Sequence, residues 1–117
     1  MARDLHDYKL LASPTTLSTA TTASIASPVP TGGYSSITYQ ASLPSHTSGT
    51  LVLTCYSRVI IDGPWSVLAI ATLGAGASSV HRTISNPGRE VQFTRTTTGG
   101  GGVDMSYQLG TLMRNFS

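Results

Sequence analysis

Residues 90–109 read EVQFTRTTTGGGGVDMSYQL. Val91 and Phe93 fall on one side of an extended chain. Val103, Met105, Tyr107 and Leu109 fall on one side of another, with Asp104, Ser106 and Gln108 pointing the opposite way. Side chains alternate across a strand with period two, so each half of this stretch predicts a strand with one apolar face. Gly99, Gly100, Gly101 and Gly102 between them predict a hairpin whose tip is either a flexible projection or a place that another backbone approaches closely. That run is not a phosphate loop, because no Lys-Ser or Lys-Thr pair follows it and it joins two strands instead of opening a helix.

The same period continues upstream. Ile37, Tyr39, Ala41 and Leu43 share one face of a predicted strand over residues 36–43. Residues 50–61 are apolar on both faces, with Leu51, Leu53, Cys55 and Val59 on one and Val52, Tyr56 and Ile60 on the other. This predicts a central strand covered on both sides. Asp62-Gly63-Pro64 is a turn, and residues 65–73 are again apolar. Asp62, Pro64 and Gly74 would also bound a short helix, but Val67, Ile70 and Thr72 favour a strand. Residues 79–84 add a further strand before Asn86-Pro87-Gly88, whose Pro-Gly order is that of a type II turn. The fold class is therefore all-β, a small antiparallel β-sandwich or barrel of about six to seven strands.

Ahead of this body, residues 12–33 are nearly all Ser, Thr, Ala, Pro and Gly, without a single charge. They carry too little apolar surface for a core of their own and predict an extended arm that orders by adding to the sheet of a neighbour. In residues 1–11, Leu5, Tyr8 and Leu11 fall on one helical face, but Pro14 soon stops it, leaving a short helical turn or an edge strand. The expected division is an extended N-terminal arm over residues 1–33 and a β-sandwich domain over residues 34–117.

Charged residues make up 10% of the 117-residue chain, where ordinary soluble domains carry about 25%. Mean hydropathy is only +0.07, so hydroxyls and glycines have replaced charge without enlarging the core. Such a surface repels its copies weakly and suits close packing. The net charge of +2 comes from scattered residues, with no cluster of Lys and Arg to neutralise nucleic acid. The opening residues lead into no apolar stretch of signal-peptide type, and no run approaches membrane-spanning length. The lone Cys55 sits in an apolar run and reads as a small hydrophobe, made in a reducing compartment.

Nothing in the chain assembles a reaction centre on paper. His6, His46 and His81 show no metal-site spacing, and the acids are only Asp4, Asp7, Asp62, Glu90 and Asp104. No serine sits in a Gly-x-Ser-x-Gly elbow. His81 and Glu90 flank the predicted Asn86-Pro87-Gly88 turn and would meet there only as a surface pair. No catalytic, cofactor-binding or metal-ligating residue is nominated, no cofactor is expected, and the chain is not read as an enzyme. Tyr39, Tyr56 and Trp65 could line a sugar-binding face, although their apolar surroundings favour core packing. Arg58, Arg82, Arg89 and Arg95 suit polar contacts between subunits.

Length, the charge-free arm over residues 12–33, the β-rich body from Ser35, the sparse charge and the missing catalytic cluster resemble the small head-decoration or minor capsid proteins of tailed bacteriophages. The resemblance implies a structural virion protein, made in the host cytoplasm, that binds the outer capsid surface and cements neighbouring capsomers. Its partners would be the major capsid protein and further copies of itself, with a trimer favoured, and neither nucleic acid nor membrane. A major coat or tail subunit, or a virion carbohydrate-binding module, would use similar chemistry.

Overall fold

The computed structural model describes residues 4–60, 62–99 and 101–116, and the sequence readings that touch residues 1–3, Ile61, Gly100 and Ser117 lie outside it. Eight strands follow one another: β1 (Asp4–Leu17), β2 (Thr22–Pro30), β3 (Ser36–Ser48), β4 (Thr50–Arg58), β5 (Ser66–Leu73), β6 (Ser79–Ser85), β7 (Glu90–Thr98) and β8 (Asp104–Phe116). They form two four-stranded antiparallel sheets, ordered β1-β8-β3-β6 and β2-β7-β4-β5. The all-β sandwich predicted from the alternating pattern is the fold observed, with the ambiguous run before Gly74 resolved as strand β5.

Only β4 and β5 are both consecutive in the chain and adjacent in a sheet; each other connection between the described strands crosses to the opposite layer. This winding, with two interleaved Greek keys, is a jelly roll. Its order corrects the predicted hairpin, because β7 and β8 lie in different sheets. Two strands with matching apolar faces bury them equally well side by side or face to face, and here they do the second. Val91 and Phe93 from one sheet and Met105, Tyr107 and Leu109 from the other are each no more than 4% exposed. The glycine run bridges the roughly 10 Å between layers, with Gly102 N–H donating to the Gly99 carbonyl at 3.2 Å. The genuine hairpin is β4–β5, closed by the loop that includes Asp62, Gly63 and Pro64.

The expected division at residue 33 is also corrected. β1 pairs along β8 and β2 along β7, so residues 4–30 are edge strands of the molecule's own two sheets. An edge strand needs one ladder partner and one thin apolar stripe. Ala12 and Leu17 supply that stripe in β1, and Ile25 and Val29 in β2, all of them buried. Thr31 then closes the corner: it is fully buried, its N–H donates to the Arg89 carbonyl at 2.8 Å and its Oγ1 to the Gly88 carbonyl at 2.9 Å. The β1–β2 connection is tied down as well, with Thr97 Oγ1 donating to the Thr19 carbonyl at 2.7 Å.

The core lies between the sheets. β3 gives Ile37, Tyr39, Ala41 and Leu43, and β4 gives Leu51, Leu53 and Cys55, in the alternation the sequence predicted. The rest of the run predicted as a central strand, Val59 of this face and the whole of the other, departs from expectation. Val52 and Tyr56 are half-buried among neighbours in their own sheet, and Val59 and Ile60 leave the strand altogether, each 70% exposed in the β4–β5 loop. Between β3 and β4 the chain changes sheets at Gly49, whose φ of 101° is readily adopted only by glycine.

Candidate functional site

The residues that could have carried chemistry are dispersed. His46 lies near the end of β3, its Nε2 paired with the Gly49 carbonyl at 2.8 Å. His81 lies in β6 opposite Gln40, Asp62 is exposed in the β4–β5 loop, and Asp104 is exposed at the start of β8. Glu90 does not meet His81; it accepts a hydrogen bond from Arg58 Nε at 2.9 Å across the β4–β7 ladder. Among the described residues no group of three His, Cys, Asp or Glu side chains is placed to hold a metal ion. Tyr39 is 1% exposed and faces the core, so Tyr39, Tyr56 and Trp65 do not share a sugar-binding face. Burial pushes the Cys55 thiol up to about 12, far from the range of a nucleophile. No described helix is long and apolar enough to cross a membrane.

What the structure does present is surface of two kinds, faces and edges. The exposed side of the β1-β8-β3-β6 sheet carries Tyr8, Leu10, Gln108, Leu112, Gln40 and His81 around a hollow of about 470 Å³. The hollow exists because Gly110 leaves room: a Cβ there would stand 3.3 Å from the Tyr8 hydroxyl. The exposed side of the other sheet is mostly Ser, Thr and Val, including Val52, Thr54, Thr94 and Thr96. Three ionic groups cluster at one end of the sandwich, where Arg58, Glu90 and Arg89 line a second hollow beside Pro30 and Gly32. There the Arg58 guanidinium also lies 4.3 Å from the centre of the Trp65 ring, a cation–π contact that fixes its plane. The arginines expected between subunits are thus partly engaged within the chain: Arg58 with Glu90, Arg95 over Tyr107, and Arg82 Nη1 with the Ile70 carbonyl.

The sheet edges differ in a way composition did not reveal. In β2, Pro28 and Pro30 lack N–H donors, Ala26 takes a φ of 58°, and the register breaks between Ile25 and Val29. In β5 the register shifts opposite Cys55 and Tyr56, and Arg82 occupies a backbone carbonyl. Both are devices that blunt an edge. In the other sheet they are confined to the second half of β1, where Pro14 and two register shifts lie beyond Leu10. β6 pairs with β3 without interruption from Ser79 to Ser85, and β1 is regular against β8 from Asp4 to Leu10 before its first shift.

The eight-stranded jelly roll defines a class by fold alone. No protein-family model matches the chain, and no curated protein does. Solved structures do match. One belongs to the Bacillus endospore appendages, a family of disulfide-linked pili, and superposes at TM-score 0.57 with 17% identity, over 98% of this chain and 89% of that one. A chain of infectious bursal disease virus strain Gx superposes at TM-score 0.60 with 17% identity, and VP2 of that virus in a subviral particle at 0.60 with 16%. This chain spans about a third of the length of those viral chains, 33% and 32%. At these identities the likeness is one of fold. It supports a capsid-like or pilus-like β structure, not the tailed-phage decoration class in particular.

Proposed function

We propose that this chain is a non-enzymatic structural subunit of a virion, working by packing its sandwich against further copies of itself and against neighbouring shell proteins. The observation that carries the reading is the distribution of charge. The broad middle of both outer faces is hydroxyl, amide, imidazole and apolar, while Arg58, Arg89 and Glu90 cluster at one end and Asp7, Lys9, Arg82 and Arg95 share the core-facing side of their strands. Neutral, flat faces associate without the like-charge repulsion that keeps ordinary domains apart. The virus-shell likenesses favour the same reading. A pilus locked by disulfides fits less well, because the one cysteine, Cys55, is buried.

On a phage shell the subunit would act as a decoration protein, cementing neighbouring major capsid proteins from outside, as a trimer at points of local symmetry. Residues 4–30 already belong to its own sheets, so its grip would come from faces and edges instead of a free arm. The test is to mix the purified chain with expanded phage shells and, separately, to concentrate it alone, following both by light scattering and negative-stain microscopy. Coating of shells supports decoration, self-assembly alone supports a coat-type subunit, and inertness in both overturns the proposal.

A further inference from the structure

We propose that copies of this chain join edge to edge through one sheet, β6 of one copy pairing antiparallel with the first half of β1 in the next. This rests on the structural-subunit reading and names its contact surface. Exposed strand edges are sites of pairing that proteins ordinarily block. Here both edges of the β2-β7-β4-β5 sheet are blunted, by prolines, bulges and the Arg82 guanidinium, whereas in the β1-β8-β3-β6 sheet β6 is regular throughout and β1 is regular from Asp4 to Leu10, ahead of its own two shifts.

The strand directions fit this arrangement. Strands alternate in direction across β1-β8-β3-β6, so a neighbour related by simple translation brings its β1 antiparallel to β6. β6 is 7 residues long, and the regular part of β1, from Asp4 to Leu10, matches it residue for residue. Full overlap sets Ser79 opposite Leu10, Val80 opposite Lys9, His81 opposite Tyr8 and Arg82 opposite Asp7 of the next copy. The faces match too. Arg82 is partnered with Tyr39 and Asp7 with Met113, both core residues, so the two lie on the same side of the joined sheet.

Charge selects the partner. Arg82 sits at the centre of β6 and Asp7 at the centre of the matching stretch of β1. Two β6 strands at full overlap would set Arg82 against Arg82, and two β1 strands Asp7 against Asp7. Like charges directly opposite destabilise a pair, and opposite charges stabilise it. The crossed pairing alone joins opposite signs. It is a head-to-tail contact, which closes into a ring or runs on as a filament according to the rotation per copy. Arg82 has donors to spare, since a guanidinium carries five N–H groups and its Nη1 serves the Ile70 carbonyl.

The test uses the full chain with Val80→Cys and Lys9→Cys together, oxidised at a concentration where the wild type assembles, with Val80→Cys alone as control. A covalent ladder in the double variant and monomer in the control is expected. Covalent dimers from Arg82→Cys alone, at the one position that full two-fold β6 overlap sets against itself, would mean two-fold β6 pairing and overturn the proposal. Asp7→Arg should weaken association roughly threefold to tenfold, and Arg82→Asp in the same chain should restore most of it. Circular dichroism confirms that each variant folds. An assembling wild type with no ladder and indifference to Asp7→Arg would overturn the edge pairing alone. A wild type that never assembles alone would likewise overturn the edge pairing, and one that also leaves shells uncoated would overturn the reading beneath it.

Discussion

Tyr39 of β3 and Phe93 of β7 meet edge to face across the interior, ring centres 5.4 Å apart and planes at 67°. Both are 1% exposed, and they tie together the two sheets that the chain crosses between repeatedly. Phe93→Ala removes a buried ring and its contact, so it should cost about 3–5 kcal/mol, a large share of the stability of a domain this small. Urea unfolding followed by tyrosine and tryptophan fluorescence measures it. A loss below about 1 kcal/mol would show that the sheets are not locked through this pair.

The Arg58–Glu90 pair is a different kind of contact. Its side chains are 16% and 22% exposed, so water screens them only in part. Glu90→Gln should destabilise by about 1 kcal/mol at low salt and less at high salt, and Trp65→Ala by a similar amount through the lost cation–π contact. Paired melts in low and high salt check this.

Alkaline pH should unfold the protein. Burial raises both the Cys55 thiol, to about 12 from an ordinary 9.0, and the Tyr39 hydroxyl above its ordinary 10.0. For Tyr39, desolvation outweighs the nearby Arg82, which pulls the other way. The unfolded chain releases these protons first, so the folded state holds more protons and stability falls as pH rises. For Cys55 the loss sets in near pH 9 and ends near 12, at up to about 1.4 kcal/mol per pH unit. Cys55→Ser tests the assignment, since its hydroxyl does not titrate there. At pH 8 native Cys55 should react with a thiol reagent only as fast as the fold opens.

Two glycine substitutions separate backbone need from mere tolerance. Gly49→Ala should cost about 1–3 kcal/mol, because φ is 101° and the new methyl would stand 2.9 Å from Met105 Cε and 3.3 Å from the Thr98 carbonyl. Gly76→Ala meets nothing within 4 Å and should be neutral or stabilising by up to about 1 kcal/mol, through the unfolded chain. Thermal melts of the two variants side by side decide it.

The alternation of Ile37, Tyr39, Ala41 and Leu43, and of Val91, Phe93 and Val103 to Leu109, was legible because period-two burial is written directly in residue type. Which apolar face meets which was not. β7 and β8 have the same pattern whether they are neighbours in one sheet or opposed across two, and four glycines permit either. Residues 12–33 misled for a related reason. Ser, Thr and Pro mask a strand whose stabilisation is chiefly its ladder, and the sparse signals, Ala12, Leu17, Ile25 and Val29, are spaced irregularly because both strands carry register shifts. The candidate surfaces were least legible of all. That Arg82 guards one edge while Asp7 marks the other depends on strand order, which composition does not encode.

The most direct measurement is sedimentation velocity on the unmodified chain from micromolar to near-millimolar concentration, with microscopy of the heaviest fractions. Growth with concentration into large, regular species of shell, ring or filament form is expected. A single slow boundary throughout, matching one 12.2 kDa particle of 54 × 29 × 20 Å, would contradict it.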